Sequence, residues 1–180
     1  MAAAGDGFVI GLFDEASPQT TANTVRKWSP KKPRCVKNTN KIKANAMGFY
    51  AVNGSSVIEF PEHSRSEDVC AGFESIRNAN GSRPVIAVLD NFSSHRSKKA
   101  SDRAKELNIH PVFLPPYSPD LNPIEFVWKS TKRVVSKTRI ASKDHLTSLL
   151  AEAFAEETAR GSHHGYWTAM FHEELVSIFK

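Results

Sequence analysis

Residues 84–89 constrain the fold of this 180-residue chain more than any other segment. Their sequence, PVIAVL, is almost entirely apolar and is followed directly by a carboxylate, Asp90. Short apolar runs without alternation are typical of strands buried on both faces, which is the usual state of parallel strands covered by helices. We therefore expect a central parallel strand in an α/β sheet, with Asp90 at its carboxyl end.

A second apolar run has the same pattern. Residues 8–13 form this run and are followed directly by Asp14, in the sequence GLFD. In the same way, the first run leads into Asp90 in the sequence AVLD. Functional groups in open α/β sheets collect at the carboxyl ends of strands, so two neighbouring parallel strands would bring both aspartates into one crevice. Carboxylates are the oxygen ligands that Mg²⁺ prefers. The alternative interpretation is that each aspartate only caps a turn after its strand.

The rest of the chain predicts strands first, then alternating strands and helices, then helices, an order typical of a mixed sheet with helices packed on it. A hairpin turn is expected at Asn53–Gly54. Strands are expected at residues 24–28, 42–52, 57–60 and 110–114. Helices are expected at residues 64–80, 97–107, 123–137, 142–158 and 166–179. We expect one domain over residues 1–160, extended by a C-terminal helical segment over residues 161–180.

The helix predicted to begin at Pro123 contains a third carboxylate, Glu125. At 3.6 residues per turn Glu125 lies outside the stripe expected to face the core, and Trp128 lies at the border of that stripe. Glu125 shares a row with Lys129, Lys132, Arg133 and Ser136. The expected core stripe consists of Ile124, Val127, Thr131, Val134, Val135 and Thr138.

Two interpretations of this row remain open. Glu125 and Lys129 could form an i,i+4 ion pair on a solvated face, worth roughly 0.2–0.5 kcal/mol. Alternatively, Glu125 binds a metal ion and the basic row follows a DNA backbone. The net charge of +5 and the clusters of Lys and Arg at residues 26–43, 96–105 and 129–139 favour an anionic partner.

Composition excludes other classes of protein. No stretch approaches the roughly 18 apolar residues of a membrane span, and residues 1–7 lack the basic start of a signal peptide. Cys35 and Cys70 are far apart and lack metal-ligand spacing, so we expect two reduced thiols. These features indicate a soluble intracellular protein without a membrane partner.

Residues 89–129 carry a family resemblance. They begin with LDNFSSH and end with LPPYSPDLNPIEFVWK, with thirty-four residues between Asp90 and Glu125. These motifs and this spacing resemble the DDE transposases of the mariner superfamily, especially the insertion-sequence branch of bacteria and archaea. The match is looser around Asp14, in Phe13–Asp14–Glu15, and at residues 25–30, VRKWSP, which resemble an Arg-x-Trp-x-Pro segment of the family.

The resemblance covers residues 7–160 and implies an RNase H-like fold, with a five-stranded mixed sheet flanked by helices. It implies the catalytic domain of a cut-and-paste DNA transposase, in which Asp14, Asp90 and Glu125 bind two Mg²⁺ or Mn²⁺ ions for strand cleavage and strand transfer. The implied partners are the double-stranded DNA of transposon ends and target, and a second copy of the chain on paired ends. The implied location is the nucleoid in the cytoplasm of a prokaryotic cell.

Further side chains near the motif are candidates for supporting roles. Asn91 could orient Asp90 or, as we favour, cap the following helix. His95 could approach the metal site or a phosphate, or pack at the start of that helix, and Glu15 is an alternative ligand beside Asp14. Tyr117 and Trp128 could stack on a flipped base, although packing is favoured. The candidate phosphate contacts are Lys129, Lys132 and Arg133.

Relatives of this family carry helix-turn-helix domains before the catalytic domain, whereas Met1 lies only a few residues before the first strand. We therefore expect that this chain is only the catalytic part of a transposase. It could be the product of a truncated gene, or one of two reading frames joined by frameshifting, or a protein that acts beside a separate helix-turn-helix polypeptide. Two rival functions remain. One is another RNase H-like nuclease, such as a ribonuclease or junction resolvase, against which the loop and spacing argue. The other is an inactive remnant that binds DNA or a partner without cutting.

Overall fold

The computed structural model describes residues 7–21, 30–31, 38–116 and 121–160. The expected strand at residues 24–28, the expected helix at 166–179 and the predicted C-terminal segment lie outside them. Five strands are present in this part of the chain: β1 (Val9–Ala16), β2 (Ala46–Ala51), β3 (Val57–Glu59), β4 (Val85–Leu89) and β5 (Ile109–Phe113). Four helices accompany them: α1 (Ser66–Asn80), α2 (Lys98–Glu106), α3 (Ile124–Val135) and α4 (Lys143–Arg160).

The strands form one mixed sheet in the order β3-β2-β1-β4-β5. β4 pairs in parallel with β1 on one side and β5 on the other, whereas β2 is antiparallel to both β1 and β3. Four of the five residues of β4 are buried. The prediction that the PVIAVL run forms a central parallel strand is therefore confirmed, as is the five-stranded mixed sheet.

β1 is longer than the sequence predicted. Parallel pairing with β4 ends at Phe13↔Leu89, but β2 continues to pair with β1 as far as Ala16↔Ala46. The expectation that β1 ends at Asp14 is therefore wrong, because its antiparallel neighbour extends beyond the end of β4. Asp14 and Asp90 still occupy the next positions on neighbouring parallel strands, which places both at the same edge of the sheet.

The hairpin turn expected at Asn53–Gly54 is confirmed, since both residues lie in the connection between the antiparallel strands β2 and β3. The last ladder pair is Phe49↔Val57, and residues 52–56 connect the two strands. The Asn53 side chain also extends the β1 ladder, since its Oδ1 accepts from Ile10 N and its Nδ2 donates to Phe8 O, both at 2.8 Å. An amide side chain here satisfies backbone groups at the start of β1.

Helices cover both faces of the sheet. α1 and α2 cover a core that includes Phe13, Phe49 and Leu89, while α3 and α4 cover one that includes Leu12 and Tyr50. Because successive residues of a strand point to opposite faces, Asp14 lies on the α3 side with Leu12, and Glu15 lies on the α1 side. No helix in the described ranges is both long and apolar enough to cross a membrane.

Candidate active site

Asp14 is a buried carboxylate on the α3 side of β1, with 7% of its surface exposed. Burial, the largest cause, and the negative charges of Glu125 and, to a smaller extent, Asp90 together raise its pKa to about 7. Charges act on one another this strongly only at short range in a partly desolvated site. Carboxylates from β1, from the end of β4 and from α3 therefore converge on one region.

Asp90 follows β4 directly and is half-exposed. Its Oδ1 accepts a hydrogen bond from Phe92 N at 3.1 Å and lies 2.8 Å from Nδ1 of His95. The His95 contact is the main cause that lowers the pKa of Asp90, so this group is ionised at neutral pH. Both described contacts involve Oδ1, which leaves Oδ2 to bind a cation.

The imidazole of His95 lies between the carboxylates of Asp90 and Glu15. It is only 3% exposed, and its Nε2 lies 3.4 Å from Oε1 of Glu15. Burial alone would lower the pKa of His95, but the two carboxylates outweigh it and raise the pKa to about 9. Neither contact has hydrogen-bond geometry, so the attraction is that of a charged imidazolium between two carboxylates.

Asn91 does not cap α2, so the favoured prediction for this residue is wrong. α2 begins only at Lys98, and the N-cap is Ser97, whose Oγ accepts from Ala100 N at 3.2 Å. Asn91 Nδ2 donates instead to Leu114 O at 2.9 Å, and its Oδ1 accepts from Arg96 at 3.1 Å. Asn91 thus connects the end of β4 to the segment after β5.

Glu125 lies in the first turn of α3, directly after Ile124, and its side chain is exposed. A carboxylate is favourable there because it faces the positive end of the helix dipole. The predicted alternative, an ion pair with Lys129, is not formed: neither residue has an ion-pair partner in the described part of the chain. The carboxylate of Glu125 is therefore accessible from solvent.

The helical-wheel prediction of which α3 residues face the core was correct at most positions. Four positions predicted to face the core are buried, but Val134 is 36% exposed and Thr138 lies beyond the helix end, partly exposed. Lys129 and Arg133 are exposed and Lys132 is partly exposed, so the basic row points outward as expected. The confirmed core positions are Ile124, Val127, Thr131 and Val135.

Trp128, predicted at the border, is completely buried, which confirms packing over stacking on a base. Its Nε1–H donates to Asp14 Oδ2 at 3.1 Å. Sequence reasoning missed this contact. The available signal was that a buried indole N–H needs an acceptor, and that Trp128 follows Glu125 by one helical turn. Tyr117, Cys35, His163 and His164, like residues 25–29, lie outside the described part of the chain.

The donor set fits hard divalent cations. Three converging carboxylates offer oxygen ligands and repel one another until a cation neutralises them. Among the described residues no three His, Cys, Asp or Glu side chains are already close enough to enclose a metal ion.

The comparisons with known proteins agree with this arrangement. The model of the family described as DDE superfamily endonuclease matches residues 10–147, and the chain belongs to this family. No curated protein matches the chain.

Solved structures of Mos1 mariner transposase share the fold. The Mos1 paired-end complex with Mn is 19% identical with a TM-score of 0.64, over 86% of this chain and 52% of that one. The Mos1 strand transfer complex is 23% identical with a TM-score of 0.60, over 87% and 50%. The Mos1 catalytic domain is 20% identical with a TM-score of 0.58, over 87% and 75%. The predicted RNase H-like fold is thereby confirmed, and the chain spans about half the length of the first two structures.

Proposed function

We propose that this chain is the catalytic domain of a cut-and-paste DNA transposase, which cleaves and joins DNA strands with two Mg²⁺ or Mn²⁺ ions bound by Asp14, Asp90 and Glu125. The observation that carries the proposal is the convergence of these three carboxylates from three separate elements of a DDE endonuclease domain. Structures of similar fold are described as complexes with paired transposon ends and with Mn or Mg.

The ions, when bound, activate the attacking oxygen and stabilise the leaving oxygen of the scissile phosphate. The residues of the chain hold the ligands in place. His95 and the backbone N–H of Phe92 both contact Oδ1 of Asp90, which leaves Oδ2 for the ions. Glu15 contacts the other ring nitrogen of His95 and so holds the imidazole in place. Asn91 fixes the backbone beside Asp90 to Leu114. We assign supporting roles to Glu15, Asn91 and His95 on this basis.

The basic row of α3 gives the substrate an orientation. Lys129, Lys132 and Arg133 lie on the outward side of the same helix that carries Glu125. Lys and Arg in such a row neutralise consecutive phosphates of a DNA backbone and fix its register without reading its sequence. We propose that they hold the strand so that its scissile phosphate faces the carboxylates.

The remaining partners follow from this activity. We propose that the chain acts on transposon ends and target DNA as a homodimer on paired ends. A member of the bacterial or archaeal insertion-sequence branch would act at the nucleoid in the cytoplasm. The similar structures of Mos1, which include a strand transfer complex and a paired-end complex, support the pairing of ends.

A nicking assay tests the proposal. We expect the wild-type chain to nick supercoiled plasmid DNA in Mg²⁺ or Mn²⁺, and Asp90→Asn or Glu125→Gln to abolish nicking while circular dichroism and thermal melting show an intact fold. Glu106→Gln, which neutralises an exposed carboxylate at the end of α2, shortly before the start of β5 and so at the opposite edge of the sheet, is the matched control and should cut normally. Wild-type cleavage by either Asp90→Asn or Glu125→Gln would refute the assignment. Cleavage of an RNA–DNA hybrid but not of DNA would identify a ribonuclease instead.

A further inference from the structure

The indole of Trp128 connects α3 to the buried aspartate of β1. Its Nε1–H donates to Asp14 Oδ2 at 3.1 Å across a sequence separation of 114 residues, and both side chains are buried. An indole nitrogen is a donor only, and a buried donor without an acceptor costs about 1–3 kcal/mol. The contact therefore satisfies the indole, and it also fixes which way the carboxylate of Asp14 is turned.

Gly48 makes room for this indole. It is the residue opposite Asp14 in the β1–β2 register. A Cβ at this position would lie 2.7 Å from Cη2 and Cζ2 of Trp128 and 3.0 Å from Cε2 of Phe154, distances too short for carbon atoms. The indole therefore lies directly on the backbone of β2, at a site where only glycine leaves enough space.

Phe154 of α4 covers the indole from another side. The two ring centroids are 5.3 Å apart with an interplanar angle of 37°. Enclosed between β2 and α4, the indole has one orientation, and its N–H has one direction. The hydrogen bond to Asp14 is therefore set by rigid packing rather than by a flexible side chain.

We propose that Trp128, placed by Gly48, is a positioning residue for metal binding, which holds Oδ2 of Asp14 so that Oδ1 is directed to the ions. This inference rests on the proposed function, in which Asp14 is a metal ligand. Trp128 follows Glu125 by one turn of α3, so a single helix supplies one ligand and orients another. A shift of α3 would consequently disturb two of the three ligands together.

The test compares two changes to the same packed cluster. Trp128→Phe removes the N–H donor, whereas Val127→Ala removes apolar volume from the same core and leaves the donor, Gly48 and Phe154 in place. Mn²⁺ affinity is measured by isothermal titration calorimetry on both variants and on wild type, and nicking is measured as a function of Mn²⁺ concentration. Loss of a partner that orients a metal ligand typically weakens metal affinity about 10–100-fold. We expect a loss in this range for Trp128→Phe and a change below about twofold for Val127→Ala.

The outcomes separate this inference from the proposed function. If wild type binds Mn²⁺, Asp14→Asn does not, and Trp128→Phe binds as wild type does, the positioning role is refuted and the proposed function stands. Equal losses in Trp128→Phe and Val127→Ala would likewise refute it, since they reduce Trp128 to a packing residue. If Asp14→Asn binds Mn²⁺ normally, the proposed ligand set itself is wrong.

Should Trp128→Phe fail to fold, the indole N–H at residue 128 can be replaced by sulfur, in the tryptophan isostere 3-benzothienylalanine. This change keeps the shape of the ring system and removes only the donor. We expect the isostere to fold and to show the same loss of Mn²⁺ affinity. Wild-type affinity in the folded isostere would overturn the proposal.

Discussion

The two aspartates on the sheet and the glutamate on α3 are supported in opposite ways. Asp14 is buried against an indole donor, and Asp90 is held by a backbone amide and a buried imidazolium. Glu125 is exposed and has neither a hydrogen-bond nor an ion-pair partner for its side chain among the described residues. Of the three proposed ligands, the two on the sheet are thus held by described partners, and the one on the helix is solvated.

This difference has an electrostatic reason. Three carboxylates held rigidly at metal-binding distance would repel one another strongly in the metal-free protein, and burial together with the charges of Glu125 and Asp90 already raises the pKa of Asp14 to about 7. Because Glu125 is exposed, water stabilises its own charge, although that charge still acts on Asp14 before a cation binds. The buried and the solvated carboxylate therefore respond differently to their mutual repulsion.

The largest effect should come from changing the length of each ligand by one methylene. In Asp14→Glu the longer side chain has no room in its buried site, so the carboxylate is misplaced by about 1 Å or more, which costs on the order of 100-fold in cleavage rate. Glu125→Asp is a matched change at an exposed position, where other rotamers and small shifts of the helix end compensate, and we expect a loss below about tenfold. Single-turnover nicking in Mn²⁺ measures both.

Equal losses in these two variants would contradict the comparison, because they would mean that Glu125 is held as rigidly as Asp14. A greater loss for Glu125→Asp would reverse it. Thermal melting of each variant separates a displaced ligand from an unfolded domain.

Local patterns in the sequence were sufficient for most of the fold. The apolar run before Asp90 identified β4, and the spacing of the motif placed Glu125 at the start of α3. The helical wheel placed Val134 in the core and Trp128 only at its border, and both positions were wrong. A wheel does not show which edge of an apolar stripe packs against the sheet. That choice depends on Gly48 and Asp14, which lie far from Trp128 in the sequence.

The candidate site shows the same limit. Sequence reasoning named Asn91 and His95 but could not assign their contacts, because their partners lie on other elements: Leu114 for Asn91, and Glu15 for His95. Ser97 took the capping role expected of Asn91, since α2 begins later than a cap at residue 91 would require. Residue types near a motif indicate a site, whereas the direction of each side chain is set by long-range packing.

A second effect concerns the pH dependence of stability in the metal-free protein. The pKa of Asp14 is about 7 in the folded state, against 3.8 for an aspartate side chain in water, so the folded state binds the proton more tightly. Its stabilising contribution is complete below about pH 4 and is lost as pH rises through 7. Between pH 5.5 and 8 this amounts to about 2 kcal/mol, at 1.36 kcal/mol per pKa unit.

Asp14→Asn tests this expectation, since it removes the titrating group. In EDTA we expect urea unfolding to show a steeper fall in stability from pH 5.5 to 8 for wild type than for Asp14→Asn. His95, whose pKa is raised to about 9, also loses its stabilising contribution as pH rises above 6.5. Because this loss occurs in both proteins, it cancels in the difference between them. Parallel pH profiles would show that Asp14 is not desolvated as described.

The smallest effect should come from the basic row, where each residue acts on its own. Neutralising Lys129, Lys132 or Arg133 individually to Gln removes one phosphate contact, which lowers the slope of log K against log salt by about 0.9 and the affinity by about fivefold near 0.15 M salt. Cleavage at saturating DNA should stay unchanged, because the ligands are untouched. Lys105→Gln, an exposed lysine on α2, is the control and should leave the slope as it is. Fluorescence anisotropy at several salt concentrations measures the slope. If Lys105→Gln changes the slope as much as the α3 variants do, the DNA is bound by the general positive charge of the domain and not by the row beside Glu125.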